Sequence, residues 1–146
     1  MTIKNGITEI PNRAFMGCQS IRKVIIPASI ESIGDYIFNM SGNLEEISFA
    51  DALNITEFGI GIFIRCTKLK SVVLPPNLRS INAYTFNACI NLNNIIIPNT
   101  VKTIGELAFS GCEKLNTISI PSGVTIGTDA FLNCPCDPSF YVAGNT

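Results

Sequence analysis

CINLNNIIIPNTVKTIGELAF, residues 89–109, holds two patterns of different period. Its first half, from Leu92 to Ile97, brings aliphatic residues to alternate positions and ends at Pro98. Alternation marks a strand with one buried face. Proline has no amide hydrogen, so it cannot extend a ladder, and it closes that strand. The second half, GELAF, is too short for an independent helix and suits a tight turn. Neither half can bury its own apolar side by itself.

The same order of residues returns along the chain. The leading leucine or isoleucine recurs at Ile21, Leu44, Leu69, Leu92 and Leu115, at spacings of 23, 25, 23 and 23. Phenylalanine keeps step at Phe15, Phe38, Phe63, Phe86, Phe109 and Phe131. An apolar residue precedes each by five positions, and the last full unit is one residue short between Val124 and Ile126. Proline follows the strand at Pro27, Pro75, Pro98 and Pro121, and glycine recurs at Gly34, Gly59, Gly105 and Gly127. A fixed period of this length signals stacked units that share one continuous core. The reading divides one domain into a truncated first repeat, 1–20, and repeats 21–43, 44–68, 69–91, 92–114 and 115–136. A terminal strand, 137–146, follows.

The expected fold is a right-handed solenoid: a single parallel sheet of about seven short strands, turn or 3₁₀ segments opposite, and little or no α-helix. One unit departs from the rule. Its strand LEEISF ends in ADALN, with no proline and two extra residues, and Ser41 stands where a cysteine is expected.

These columns resemble the BspA-type leucine-rich repeat, a 23-residue class found in surface proteins of anaerobic bacteria and parasitic protozoa. The best copies are CTKLKSVVLPPNLRSINAYTF (66–86) and the stretch quoted first. The resemblance implies adhesion or protein recognition, with no catalytic residues, and a cell-surface or extracellular home. The opening MTIKNGITEI has neither a basic n-region nor an apolar h-region, so no signal peptide is expected within it.

Composition agrees with a non-enzymatic role. The 146 residues include no histidine and no tryptophan, and only 14% are charged, with a net charge of -1. The commonest general base and metal ligand is therefore missing. The near-neutral balance gives no electrostatic reason for a nucleic-acid partner. No apolar run is long enough for a membrane span. The cysteines fall in one column at Cys18, Cys66, Cys89, Cys112 and Cys134, with Cys136 in addition. No Cys-x-x-Cys or cysteine–histidine pair is present, so neither a metal nor another cofactor is expected. The column reads as small buried side chains. Cys136 is expected to react first, and Cys134-Pro135-Cys136 is the one place left open to redox chemistry.

Outward strand positions supply the candidate binding residues. Basic, acidic and basic rungs in succession (Arg22 and Lys23, Glu45 and Glu46, Lys70) are expected to pair with one another. The later rungs are neutral. A partner site is therefore expected on the concave sheet at Val73, Asn93, Asn94, Ile96, Asn116, Thr117, Ser119 and Tyr141. Exposed aliphatics there lie beside unpaired amides and hydroxyls. The partner is expected to be a host or matrix protein, or a glycan. The alternative is a structural unit, or a part of a longer array, that stacks through its end strands as a monomer or weak self-associating species. Asn39 and Asn54 also match the glycosylation acceptor pattern.

Overall fold

The computed structural model describes residues 1–136. The chain winds as a parallel β-solenoid, and no helix occurs among these residues. The strands are β1 Glu9–Ile10, β2 Lys23–Ile25, β3 Ser32–Ile33, β4 Glu46–Ser48, β5 Ser71–Val73, β6 Ser80–Ile81, β7 Asn94–Ile95, β8 Thr103–Ile104 and β9 Thr125–Ile126. The main sheet has the order β2-β4-β5-β7, all parallel. Thr2 bridges to Ile25 and adds a partial rung before it.

The strands form where alternation is cleanest. Val24, Ile47, Val72 and Ile95 point inward and are buried, in register across four rungs. Leu44, Leu69, Leu92 and Leu115 flank them and are also buried. Burying one such side chain contributes about 1.5–3 kcal/mol. That gain needs a neighbouring rung on each side, and here the repeat supplies it.

The predicted fold class holds, and the strand count differs. Among the described residues nine strands lie in three sheets, where one sheet of about seven was expected. Every unit but 44–68 makes a second, two-residue strand: β1 pairs with β3, and β6-β8-β9 form a further ladder. Glu57 bridges to Ser80 between them. Two residues cannot show an alternation, so periodicity alone missed these strands. In the other direction, residues 116–119 carry sheet-like sequence but no strand. The expected terminal strand lies outside the described residues.

Opposite the main sheet the backbone runs through turns with a repeated left-handed residue. Arg13, Tyr36, Gly61, Tyr84, Leu107 and Asp129 have φ between 54° and 61°. A second such column holds Gly17, Met40, Arg65, Ala88, Gly111 and Asn133. Most of these are not glycine, so the conformation is sterically unfavourable and is held by what surrounds it. The hold is a directional ladder. In the first rung Arg13, Phe15 and Gly17 donate their N–H groups to the carbonyls of Asp35, Ile37 and Asn39. The same triplet repeats between every later pair of rungs, at 2.7–3.1 Å, as far as Leu107, Phe109 and Gly111. All of these N–H groups point toward the C-terminal end.

Inside, the phenylalanines form one column. Phe15, Phe38, Phe63, Phe86, Phe109 and Phe131 stack with successive centroids 5.4, 5.8, 5.3, 5.1 and 5.2 Å apart. Beside them runs the cysteine column. Cys66, Cys89 and Cys112 donate S–H to the carbonyls of Phe38, Phe63 and Phe86 at 3.1–3.2 Å. Ser41 donates to the Phe15 carbonyl at 2.7 Å in the same way. The position calls for a small donor, and either side chain meets it.

Candidate binding face

The outward positions of β2, β4, β5 and β7 form a polar row and an aliphatic row. The polar row is Lys23, Glu46, Ser71 and Asn94. On the first two rungs the expected ion pairs are present, Lys23–Glu46 at 2.9 Å and Arg22–Glu45 at 3.4 Å. Exposed pairs of this kind contribute about 0–1 kcal/mol. Among the described residues Lys70 has no carboxylate within ion-pair distance, and the side chains of Asn93 and Asn94 make no hydrogen bond. Their polar groups are turned to solvent.

The aliphatic row is Ile25, Ser48, Val73 and Ile96. Ile25 is 55% exposed, Val73 51% and Ile96 80%. Side chains this apolar gain by leaving water. The small Ser48 between Ile25 and Val73 leaves a notch of about 190 Å³. A second depression of about 340 Å³ lies along Val73, Asn94, Ile96 and Pro98. A third, about 630 Å³, is walled by Thr2 to Asn5, Ile25, Pro27, Ala28, Asp51 and Leu53. The first two share Val73, and Ile25 joins the notch to the third. Together they make one furrow along one side of the sheet.

Of the eight residues expected at a partner site, Val73, Asn93, Asn94 and Ile96 are exposed together on this face. Asn116, Thr117 and Ser119 are exposed on the following unit, where no strand forms. Tyr141 lies outside the described residues. Sequence reasoning missed the large cleft. Its signal was the two-residue insertion at ADALN. The insertion carries Asp51 and the exposed Leu53 into a wall beside Ile25. Of the two acceptor-pattern asparagines, Asn54 is exposed and Asn39 is half-buried, with its side-chain oxygen enclosed and unpartnered.

The cysteines are all free thiols. Burial pushes Cys66 up to about 12 and drives Cys89 and Cys112 well above the ordinary thiol range. The expectation that Cys136 reacts first is reversed. Cys136 is buried, while Cys134 and Cys18 are half-buried. The reason is the turn after Asn133, which swings Cys136 inward so that its N–H meets the Leu115 carbonyl at 3.1 Å.

With repeat, fold and face in view, the family follows: the model of the BspA-type leucine-rich repeat region matches residues 1–92 and 43–142, with six copies, and the chain belongs to that family. Among solved structures it is similar to the leucine-rich repeat protein of T. pallidum, with a TM-score of 0.75 and 26% identity. That match covers 94% of this chain and 76% of that one. A leucine-rich cell surface protein from Faecalibacterium prausnitzii has the same fold, at a TM-score of 0.63 and 24% identity. The match covers 93% of this chain and 45% of that protein. A leucine-rich repeat protein from Eubacterium ventriosum matches at a TM-score of 0.53 and 26% identity, covering 75% of this chain and 35% of its own. No curated protein sequence matches. The chain is thus a leucine-rich repeat module, and no helix among the described residues is long and apolar enough to cross a membrane.

Proposed function

We propose that the chain is a non-enzymatic recognition module of a surface-exposed, adhesive kind that binds a protein through the outer face of its main sheet. The observation that carries this reading is the furrowed aliphatic row of Ile25, Val73 and Ile96 beside uncommitted asparagines. An apolar strip with unpaired amides next to it fits a protein partner, because interface cores combine apolar contact with a few directed hydrogen bonds. A glycan is the weaker fit, since the strands of this face present no aromatic ring for stacking. Membership of a repeat family whose structural neighbours include a cell surface protein supports a surface location.

The test is binding to purified extracellular-matrix proteins and to immobilised glycans, comparing the native chain with an Asn94→Lys, Ile96→Lys double variant. The expected result is capture of a matrix protein that the double variant loses. Its melting temperature should scarcely move, since exposed substitutions usually change stability by about 0.5 kcal/mol or less. Binding that survives the double change but is lost on altering the turn around Asn54 would place the site on another face. Binding to glycans alone would reverse the choice of partner.

The ladder's direction favours a second reading, end-to-end stacking. The last described rung presents the N–H groups of Asp129, Phe131 and Asn133, and the first presents the carbonyls of Asn12, Ala14 and Met16. Among the described residues these groups have no backbone partner. Donors at one end match acceptors at the other, the arrangement of a heterologous, open contact. Light scattering that grows with concentration would support this reading, and a constant monomer mass would remove it.

A further inference from the structure

The last member of the cysteine column breaks the column's rule. Cys66, Cys89 and Cys112 each donate to a phenylalanine carbonyl one rung back. Cys134 instead donates to the carbonyl of Leu115, at 3.4 Å. The same oxygen accepts the N–H of Cys136 at 3.1 Å. The chain therefore folds back after Asn133, whose φ is 58°, and brings two cysteines separated only by Pro135 around a single acceptor. Cys134 is half-buried and meets solvent, whereas Cys136 is tucked beneath it.

We propose that Cys134 and Cys136 form a redox-active dithiol, which a low-molecular-weight disulfide of the glutathione type oxidises to an intrachain disulfide. Cys134 attacks first. Its thiolate breaks the S–S bond of the reagent, forms a mixed disulfide and expels one thiolate, which takes up a proton. Cys136 then gives up its proton to solvent or to that leaving group and attacks the Cys134 sulfur. The mixed bond breaks, the Cys134–Cys136 bond forms and a second thiol leaves. The protein loses two hydrogens and the reagent gains two.

The environment of the pair sorts these roles. The Cys136 thiol beside it holds Cys134 below the usual thiol range, which with its greater exposure favours Cys134 as the attacking group. The same contact, with burial added, pushes Cys136 up and keeps it protonated until its partner has reacted. The column thiols do not compete, because each is buried and hydrogen-bonded one rung back. Cys18 is half-buried, but the next member of its column is Ser41, so it has no second thiol with which to resolve a mixed disulfide. A bridge across one intervening proline closes a small ring. Strained or exposed disulfides of this kind have oxidising potentials and are the reversible ones.

The folded full-length protein treated with oxidised glutathione, then alkylated and mapped without reduction, decides the matter. The expected product is a peptide spanning 134–136 that has lost two hydrogens. Cys66, Cys89 and Cys112 should alkylate only after denaturation. Cys136→Ser should stop the reaction at a glutathione adduct on Cys134, and Cys134→Ser should leave position 136 unmodified. If either variant fails to fold, mapping of the native chain alone still gives the answer. A Cys112–Cys134 bridge, or no bridge in the folded protein, would overturn the proposal.

Discussion

Phe86→Ala should lower the stability of the chain by about 3–5 kcal/mol, measured by urea denaturation at constant slope. The ring is completely buried and lies between Phe63 at 5.3 Å and Phe109 at 5.1 Å. Removing it leaves a void whose walls are two other rings, each fixed by its own rung, so the gap cannot close by a side-chain swing. Stacked aromatic pairs also contribute about 0.5–1.5 kcal/mol beyond their area, and Phe86 belongs to two of them. Phe15→Ala is the internal comparison. It removes the same group from the end of the column, where the ring is half-buried and has one stacked neighbour at 5.4 Å. The loss there should be clearly smaller. Equal losses at the two positions would show that stability does not come from the stack, because a one-dimensional array couples each unit only to its neighbours.

Most of the fold was legible because the repeat makes each column a separate test of the same physics. The phenylalanine column, the inward aliphatics and the strand-closing prolines fall where spacing put them. Ser41 shows what the columns left open. Read as a sequence, it is a departure from cysteine. In the structure its hydroxyl makes the bond to the Phe15 carbonyl that its neighbours make with sulfur. Only the contact shows that the position needs a donor and no thiol chemistry. The left-handed residues were not legible either. Arg13, Tyr36, Tyr84 and Leu107 have no local preference for φ near 57°. The inter-rung ladder imposes it, and no single unit contains that ladder.

The candidate face was half legible, for a related reason. Alternation says which side chains leave the sheet, so Val73, Asn94 and Ile96 could be named from the sequence. It says nothing about depth. The furrow exists because Ser48 is short between two larger aliphatics and because the insertion stands Leu53 beside Ile25. Both facts concern residues on different rungs, brought together by the stacking of units and contained in no single one. An irregularity in a repeat is thus the place where a surface acquires a shape of its own, and ADALN was the stretch to weigh more heavily.

Gly59→Ala should also destabilise the chain strongly, by about 1–3 kcal/mol or more. Conformational freedom is not the cause at this position, since Gly59 is not among the residues with positive φ. Space is. A Cβ added there would lie 2.1 Å from the carbonyl oxygen of Gly34 on the preceding rung. The same crowding recurs down the column. A Cβ on Gly105 would come within 2.5 Å of the Ala83 nitrogen, and one on Gly127 within 2.6 Å of the Glu106 nitrogen. The obstacle is backbone in every case, and it is held by the ladder, so it cannot rotate aside as a side chain would. The rungs would have to part, with loss of bonds such as Tyr36 N–H to the Ile60 carbonyl. Asn82 shows how a larger residue fits this column between two stacked rungs. It follows Ile81 as Gly59 follows Phe58, and its amide reaches back to donate to the Phe58 carbonyl, so the larger side chain is held by a contact of its own. Gly42→Ala is the control, because the nearest atom to a Cβ there is the Gln19 side-chain oxygen at 3.5 Å. That change should be close to neutral in the same urea titration. If Gly59→Ala were equally silent, the rung spacing would be looser than this geometry requires, and the glycine column would need another explanation.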